Sequence, residues 1–339
     1  MCGICGYVGP RDPSPIEAMT RILAHRGPDG EGVRVFEARD GHPPAALGHR
    51  RLSIIDPSER GAQPMSYGEG RYWITYNGEL YNFRELREEL SQQGFGFDSD
   101  CDTEVLLALY ARDGERMLER LNGIYAFAIW DDERGELFLA RDRLGVKPLY
   151  WALEDGVLLF ASEVKSLLEA LPPPSMRREA LPEYLTFLWV PDPETLFEGV
   201  RKLPPGHRAR FAGGELRIAE YWDARFESGG PAARREWPGR VREAVQGAVR
   251  RQMVSDVPLG AFLSGGLDSG AVVATMHEDA DPLTTYTVGY SAEDLAHDIV
   301  PDDLAYARRM AAELELDSHE RILRPDIVEL LPRLVWHMD

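Results

Sequence analysis

Cysteine is scarce in this chain, with Cys2, Cys5 and Cys101 the three among 339 residues. An odd, scattered set cannot form a paired disulfide framework, and Cys2-x-x-Cys5 cannot be bridged if Cys2 is to react. Basic residues are outnumbered, 38 Lys and Arg against 57 Asp and Glu, for a formal net charge of −19. That balance argues against nucleic acid or an anionic membrane as partner, because phosphate binding needs a basic face. Long apolar runs are missing too: Ile124 to Trp130 is the longest, far short of the ~20 residues of a membrane-spanning helix. Gly, Pro and Asp stand near the N-terminus where a secretory leader needs a basic start and an apolar stretch, so a cytoplasmic, reducing location is expected. Neither GxxxxGK[ST] nor GxGxxG occurs, which disfavours γ-phosphate hydrolysis and dinucleotide chemistry. Internal repeats and low-complexity tracts are likewise absent.

What is present suits a globular protein, 44% hydrophobic and 28% charged, of about two domains. Residues 1–170 read as a mixed α and β domain, with strands at 72–76, 124–130, 136–140 and 157–160 and an amphipathic helix over Thr103–Leu118. The run Leu171-Pro172-Pro173-Pro174-Ser175 ends it. Residues 171–236 read as a connecting segment, closing at Ser228-Gly229-Gly230-Pro231. From 237 to 339 the order is helix 237–252, strand 257–263, helix 267–277, strand 283–288 and helix 303–315, the alternation of a parallel sheet covered by helices. About 100 residues are too few to close such a core, so this second domain is expected to be a partial one.

Cys2 carries the first chemical signal. Once Met1 is removed, this residue holds both a thiol and a free α-amine, with ordinary pKa values near ~8.5 and ~7.7–8.0. The amine can then take the thiol proton and return it to a leaving group. Attack on a carboxamide further requires oxyanion donors, a cation for an α-carboxylate and an anion for an α-ammonium. Asn77 and Gly78, Arg51, and Asp102 are the candidates in that order. Taken singly, Asn77-Gly78 also suits a hairpin turn, Arg51 a surface charge and Asp102 a helix N-cap.

Together with the opening Met1-Cys2-Gly3-Ile4-Cys5-Gly6, four further runs occur in order: His25-Arg26-Gly27-Pro28-Asp29, Arg51-Leu52-Ser53-Ile54-Ile55-Asp56, Tyr76-Asn77-Gly78-Glu79-Leu80-Tyr81-Asn82 and Ser99-Asp100-Cys101-Asp102-Thr103-Glu104. In these the chain resembles the class II, N-terminal-nucleophile (Ntn) glutamine amidotransferases. The resemblance implies a four-layered αββα sandwich, Cys2 as nucleophile and Asn77 with Gly78 as oxyanion hole. It also implies a glutamine site of Arg51, Leu52, Ser53, Ile54, Ile55, Asn77, Gly78, Glu79 and Asp102. Two more runs, Arg141 to Tyr150 and Ala161-Ser162-Glu163-Val164-Lys165, resemble more narrowly its asparagine-synthetase branch.

In the second domain a strand runs into Ser264-Gly265-Gly266-Leu267-Asp268-Ser269 and then a helix. Successive N–H groups and the helix dipole there face one point, a geometry that binds pyrophosphate. Ser264 and Ser269 can donate hydroxyls, and Asp268 can hold a Mg²⁺ that offsets phosphate charge. The run resembles the PP-loop of enzymes that cleave ATP to AMP and pyrophosphate, implying a partial α/β parallel-sheet PP-loop ATP-pyrophosphatase domain. By the same resemblance, Leu263 and Val288 contact the adenosine. The expected function is glutamine-dependent asparagine synthesis from glutamine, aspartate and ATP–Mg²⁺, with no organic prosthetic group and with the homodimer the family suggests. Two alternatives stand beside it: an amidotransferase with another carboxylate acceptor, and a glutaminase or nitrogen-sensing fragment without ligase activity.

Overall fold

The computed structural model describes residues 1–10, 15–39, 41–226, 233–280, 282–290, 303–324 and 326–339. The Ser228–Pro231 run lies outside them. Two units fold around separate cores, Met1–Arg225 and Phe226–Asp339.

In the first unit the strands are β1 (Gly3–Val8), β2 (Gly30–Phe36), β3 (Ala45–Arg51), β4 (Met65–Tyr67), β5 (Tyr72–Leu80), β6 (Gly123–Asp131), β7 (Glu136–Arg141), β8 (Tyr150–Glu154), β9 (Val157–Ala161), β10 (Val200–Lys202), β11 (His207–Ala212) and β12 (Glu215–Glu220). They form two antiparallel sheets, ordered β10-β8-β9-β1-β3-β2 and β12-β11-β7-β6-β5-β4. Side chains alternate across a strand, and in β1 that alternation builds two layers at once. Ile4 and Val8 enter the core between the sheets with Leu47, Ala128, Trp130, Leu139, Phe160 and Phe211. Cys5 and Tyr7 face the other way, onto Met19 of α1 (Ile16–Arg21) and onto Val164 and Leu167 of α4 (Val164–Leu168). Each fully buried large side chain here contributes roughly 1.5–3 kcal/mol. On the outer face of the second sheet lie α2 (Phe83–Gln92) and α3 (Asp102–Asp113), with Tyr110 of α3 stacked on Phe138 of β7 at 5.4 Å. The layers therefore run helix, sheet, sheet, helix, as the αββα sandwich requires.

Three features depart from the sequence reading. The strand expected over 72–76 continues to Leu80, so Asn77-Gly78 is strand and not turn, paired with Ala126 and Tyr125 of β6. The helix expected to Leu118 ends at Asp113, where Gly114 adopts φ +57° and a 3₁₀ turn follows. Part of the segment expected as a connection supplies β10, β11 and β12, which pair with β8, β7 and one another. Val200, Ala209 and Phe211 bury there, and Pro and Gly in the turns between them masked these short strands.

The first unit also carries α5 (Leu181–Phe187); in the second unit α6 (Ala233–Gln252) precedes β13 (Gly260–Phe262), α7 (Leu267–Asp279), β14 (Thr284–Tyr290), α8 (Asp303–Glu313), β15 (Asp317–Leu323) and α9 (Ile327–Met338). The strands form a parallel sheet in the order β13-β14-β15. Leu263, Val273, Met276, Leu283, Ala307 and Ala311 make its core. The strands fall within a few residues of the expected spans at 257–263 and 283–288, whereas β15 and α9 had no counterpart in the sequence reading. No helix among the described residues is long and apolar enough to cross a membrane.

Candidate active site

Cys2 stands immediately before β1, and the motifs distant in sequence converge on it. Arg26 donates through Nε to the Cys2 carbonyl at 2.9 Å and through its guanidinium to Glu163 at 2.8 Å. The same buried carboxylate receives His25 and, at 2.7 Å, the ammonium of Lys165. Leu52 N–H donates to Cys2 Sγ at 3.4 Å, and Ser53 N–H to Asp29 at 2.9 Å. Thus the His25–Asp29 run clamps both the Cys2 backbone and the loop that covers its sulfur. Burial pushes the Cys2 thiol up, opposed by the Leu52 hydrogen bond and by the neighbouring amine. Burial pushes the Met1 amine down.

Asn77 and Gly78, expected as oxyanion donors, lie where β5 has an uncovered edge. Strand β4 pairs only with Tyr72–Ile74, so beyond that point one edge of β5 has no neighbour. Tyr76 N–H donates to Gln63 Oε1 at 2.7 Å and Leu80 N–H to Asp102 Oδ2 at 2.9 Å. By the two-residue period of a strand, Gly78 N–H points out of the same edge between them. Beside it the Asn77 amide Nδ2 is buried with no hydrogen-bond partner among the described residues, a costly arrangement that calls for an acceptor from outside them. Glycine is required at 78 for a separate reason: an added Cβ would stand 2.4 Å from the Ile124 carbonyl and 2.8 Å from Tyr125 Cα.

Cys2, Arg51, Leu52, Ile54, Ile55, Asn77, Gly78, Glu79 and Asp102 all line one cavity of about 170 Å³. That volume is below the ~300–1,000 Å³ of pockets for drug-sized ligands and suits one small molecule. Ser53 is not on its wall; it faces a neighbouring depression with Asp29 and Glu31. Asp102, the first residue of α3, is buried and accepts from Tyr76 Oη at 2.9 Å as well as from Leu80 N–H. Burial raises its carboxyl pKa in spite of those bonds. Glu79 is raised by burial as well. Arg51 is less available than the sequence implies, because its guanidinium donates to the carbonyls of Ser58 at 2.7 Å, Ile55 at 3.4 Å and Asp56.

In the second unit the Ser264–Ser269 loop joins β13 to α7. Gly265 takes φ +74°, and a Cβ there would meet the Asp303 carbonyl at 2.6 Å and Ala307 N at 2.7 Å. Ser264 and Ser269 hydroxyls bond each other at 2.9 Å, and Ser269 Oγ also receives Ser264 N–H. Gly266 is the extended N-cap, with Leu267, Asp268 and Ser269 opening the helix. Leu263 is buried and its carbonyl accepts from Thr287 at 2.8 Å, while Val288, one residue further along β14, is exposed. Asp268 is exposed in the first turn. Among the described residues no three His, Cys, Asp or Glu are grouped to hold a metal. A single carboxylate beside an open loop fits Mg²⁺ carried on phosphates, which keeps most of its ligands from water and nucleotide.

Gln63, Tyr76 and Lys147 also line the first cavity, and sequence reasoning assigned none of them a place there. Lys147 lies within the Arg141–Tyr150 run, a usable signal. Gln63 sits in no motif, so only the folded chain reveals it.

The family model described as a glutamine amidotransferase domain matches residues 1–222, and the one described as asparagine synthase matches 240–339. Among curated proteins, asparagine synthetase [glutamine-hydrolyzing] 1 of Bacillus subtilis (strain 168) is 38% identical over 350 residues, 99% of this chain and 53% of that protein. Asparagine synthetase [glutamine-hydrolyzing] 3 of the same organism is 38% identical over 359 residues, 100% of this chain and 57% of that protein. The chain thus spans about half the length of the curated relatives it matches. A solved structure entitled the allosteric regulatory enzyme of purine biosynthesis is similar in fold, with a TM-score of 0.52 at 17% identity over 96% of this chain and 81% of that one.

Proposed function

From the premise that this chain belongs to the glutamine amidotransferase family, with the start of an asparagine synthase domain in the same polypeptide, we propose that it hydrolyses glutamine at Cys2 and directs the ammonia to ATP-dependent synthesis of asparagine from aspartate. The observation that carries the first half is the unsatisfied Asn77 amide beside the free edge of β5, in one cavity with Cys2 and Asp102. With Met1 removed, the Cys2 amine takes the thiol proton and the sulfur attacks the glutamine amide carbon. Asn77 Nδ2 and Gly78 N–H hold the oxyanion, and the proton passes to the departing ammonia. Water then cleaves the thioester to glutamate. Asp102 holds the substrate ammonium, and the Arg51–Ile55 loop closes over the carboxylate end.

In the second unit the Ser264–Ser269 loop holds the ATP phosphates, Leu263 and Val288 flank the adenosine, and Asp268 holds Mg²⁺. ATP supplies AMP as the leaving group that an unactivated aspartate carboxylate lacks. Amino-acid analysis after incubation with glutamine, aspartate, ATP and Mg²⁺ tests both halves. Glutamate and asparagine are expected together from the protein. Cys2→Ala is expected to form no glutamate, and glutamate formation by that variant would sink the assignment of the nucleophile. Glutamate from the unaltered chain without asparagine, in the presence of all substrates, would count against the aspartate half.

A further inference from the structure

The two halves of the proposed glutamine site belong to different sheets. Cys2 immediately precedes β1 and Leu52, whose N–H meets its sulfur, immediately follows β3, both strands of the first sheet. Asn77 and Gly78 lie on β5 of the second. The packing between the sheets is largely apolar, and apolar attraction has no preferred direction. It sets their spacing more firmly than their alignment. A polar bridge crosses between them beside the site. Thr75 Oγ1 of β5 donates to the Gly48 carbonyl of β3 at 2.9 Å, and His49 Nδ1 stands 3.1 Å from the same hydroxyl. His49 pairs with Ile4 of β1 and comes two residues before Arg51, while Thr75 pairs with Ala128 of β6 and comes two residues before Asn77. At ~3.3 Å per residue, the bridge therefore stands ~7 Å along the strand from each half of the site.

A hydroxyl has one proton, and here the Gly48 carbonyl, which can only accept, takes it. His49 Nδ1 must then carry a hydrogen and donate to Thr75 Oγ1, which fixes the imidazole as the Nδ1–H tautomer. Its Nε2 is left an acceptor, buried and with no hydrogen-bond partner among the described residues. His49 is 1% exposed and Thr75 0%. Burial, with the Arg51 charge nearby, pushes the imidazole down to about 3, so it stays neutral. Such a pair adds little to stability, because apolar groups of the same shape in place of both partners are nearly neutral. What it adds is direction, since a hydrogen bond holds only near ~2.7–3.2 Å. We propose that the His49–Thr75–Gly48 bridge is a positioning device that fixes β5, and with it Asn77 and Gly78, at the place the carbonyl attacked by Cys2 requires. The inference rests on the glutaminase reading for its purpose. Neither the His49 nor the Thr75 side chain lines the cavity that holds Cys2, so both act through the strands that carry them.

The test compares glutamine hydrolysis by the full chain with that of variants, alongside urea midpoints and alkylation of Cys2 by iodoacetamide, the label assigned by peptide mapping. The double variant His49→Leu with Thr75→Val puts apolar groups of similar size in place of the bridge. It is expected to keep the parent's urea midpoint and alkylation rate, because attack on iodoacetamide needs no oxyanion donor. Its kcat is expected to fall by ~10–10²-fold with KM within a few-fold, the loss that a displacement of about 1 Å produces. Thr75→Ser, which keeps the hydroxyl, is expected to retain the parent's kcat. Should the double variant fail to fold, Thr75→Val alone and ¹⁵N NMR of the parent's histidines decide the matter. His49 is expected as a neutral Nδ1–H imidazole, and an Nε2–H tautomer would overturn the bridge. A folded variant without the bridge that hydrolyses glutamine at the parent's rate would overturn the positioning role and leave the glutaminase standing. A matching fall in alkylation would mean general damage to the site and overturn that role too. A parent chain that forms no glutamate would instead sink the glutaminase reading and this inference together.

Discussion

Asn77 illustrates at the scale of one residue how a polar group without a partner reports function. The residue is 1% exposed, and Nδ2 donates to nothing among the described residues. Leaving such a donor unsatisfied costs roughly 1–3 kcal/mol, so replacing it should not weaken the fold by the usual amount while removing a stabiliser of the oxyanion. Asn77→Ala is expected to lower kcat for glutamine hydrolysis by ~10²–10³, leaving KM within a few-fold and the thermal midpoint no lower than in the parent. Steady-state kinetics with a melting curve checks both. A variant with ordinary kcat would remove Asn77 from the oxyanion site. The residue pair Asn77-Gly78 was legible in the chain as a motif, but as a dipeptide it suits a turn equally well. Its placement inside β5 was decided by pairing with Ala126 and Tyr125, strand partners that the dipeptide does not specify.

Strand β5 is the element that organises the site. One edge is consumed by β6, and the other is open beyond Ile74, where Gln63 and Asp102 take the N–H groups on either side of Gly78. A single strand thereby carries the proposed oxyanion donor and the anchor of the residue assigned to the ammonium. The space at Gly78 is limited by the β6 backbone, which cannot rotate away as a side chain can. Gly78→Ala is expected to destabilise the chain by ~1–3 kcal/mol, the usual cost of overpacking, read as a lower midpoint in urea denaturation. An unaltered midpoint would mean that β5 and β6 are looser than described. The element reading from sequence recovered β6 and β7 to within a residue or two, because each is a continuous apolar run bounded by turn residues. It missed β10 to β12, each short and set among Pro and Gly, and it overran α3 because the apolar spacing persists through the 3₁₀ turn after Gly114.

At the scale of the whole molecule, the separate cores of Met1–Arg225 and Phe226–Asp339 imply that damage to one leaves the other's chemistry intact. Gly265→Ala forces a side chain into a left-handed loop backed by the α8 backbone. It is expected to abolish nucleotide binding, measured by calorimetry with ATP and Mg²⁺, while glutamate production from glutamine stays within about two-fold of the parent chain's. Loss of both activities would argue that the units are coupled in stability. Each proposed chemical signature is readable in linear order because it is a local requirement: a cysteine beside the initiating Met, an amide and an N–H on consecutive residues, glycines in a strand-to-helix turn. What needed the folded molecule are the contacts between residues far apart in the chain. Arg26 reaches Glu163 across 137 positions, and Leu52 reaches Cys2 across 50. Lys147 joins the cavity only because the loop after β7 is tied to Asp142 and Arg141. Apolar periodicity states which face of an element is buried, but not which other element will cover it. The places of Lys147 and Gln63 in the cavity, and the withdrawal of Arg51 into its loop, are therefore matters of tertiary packing.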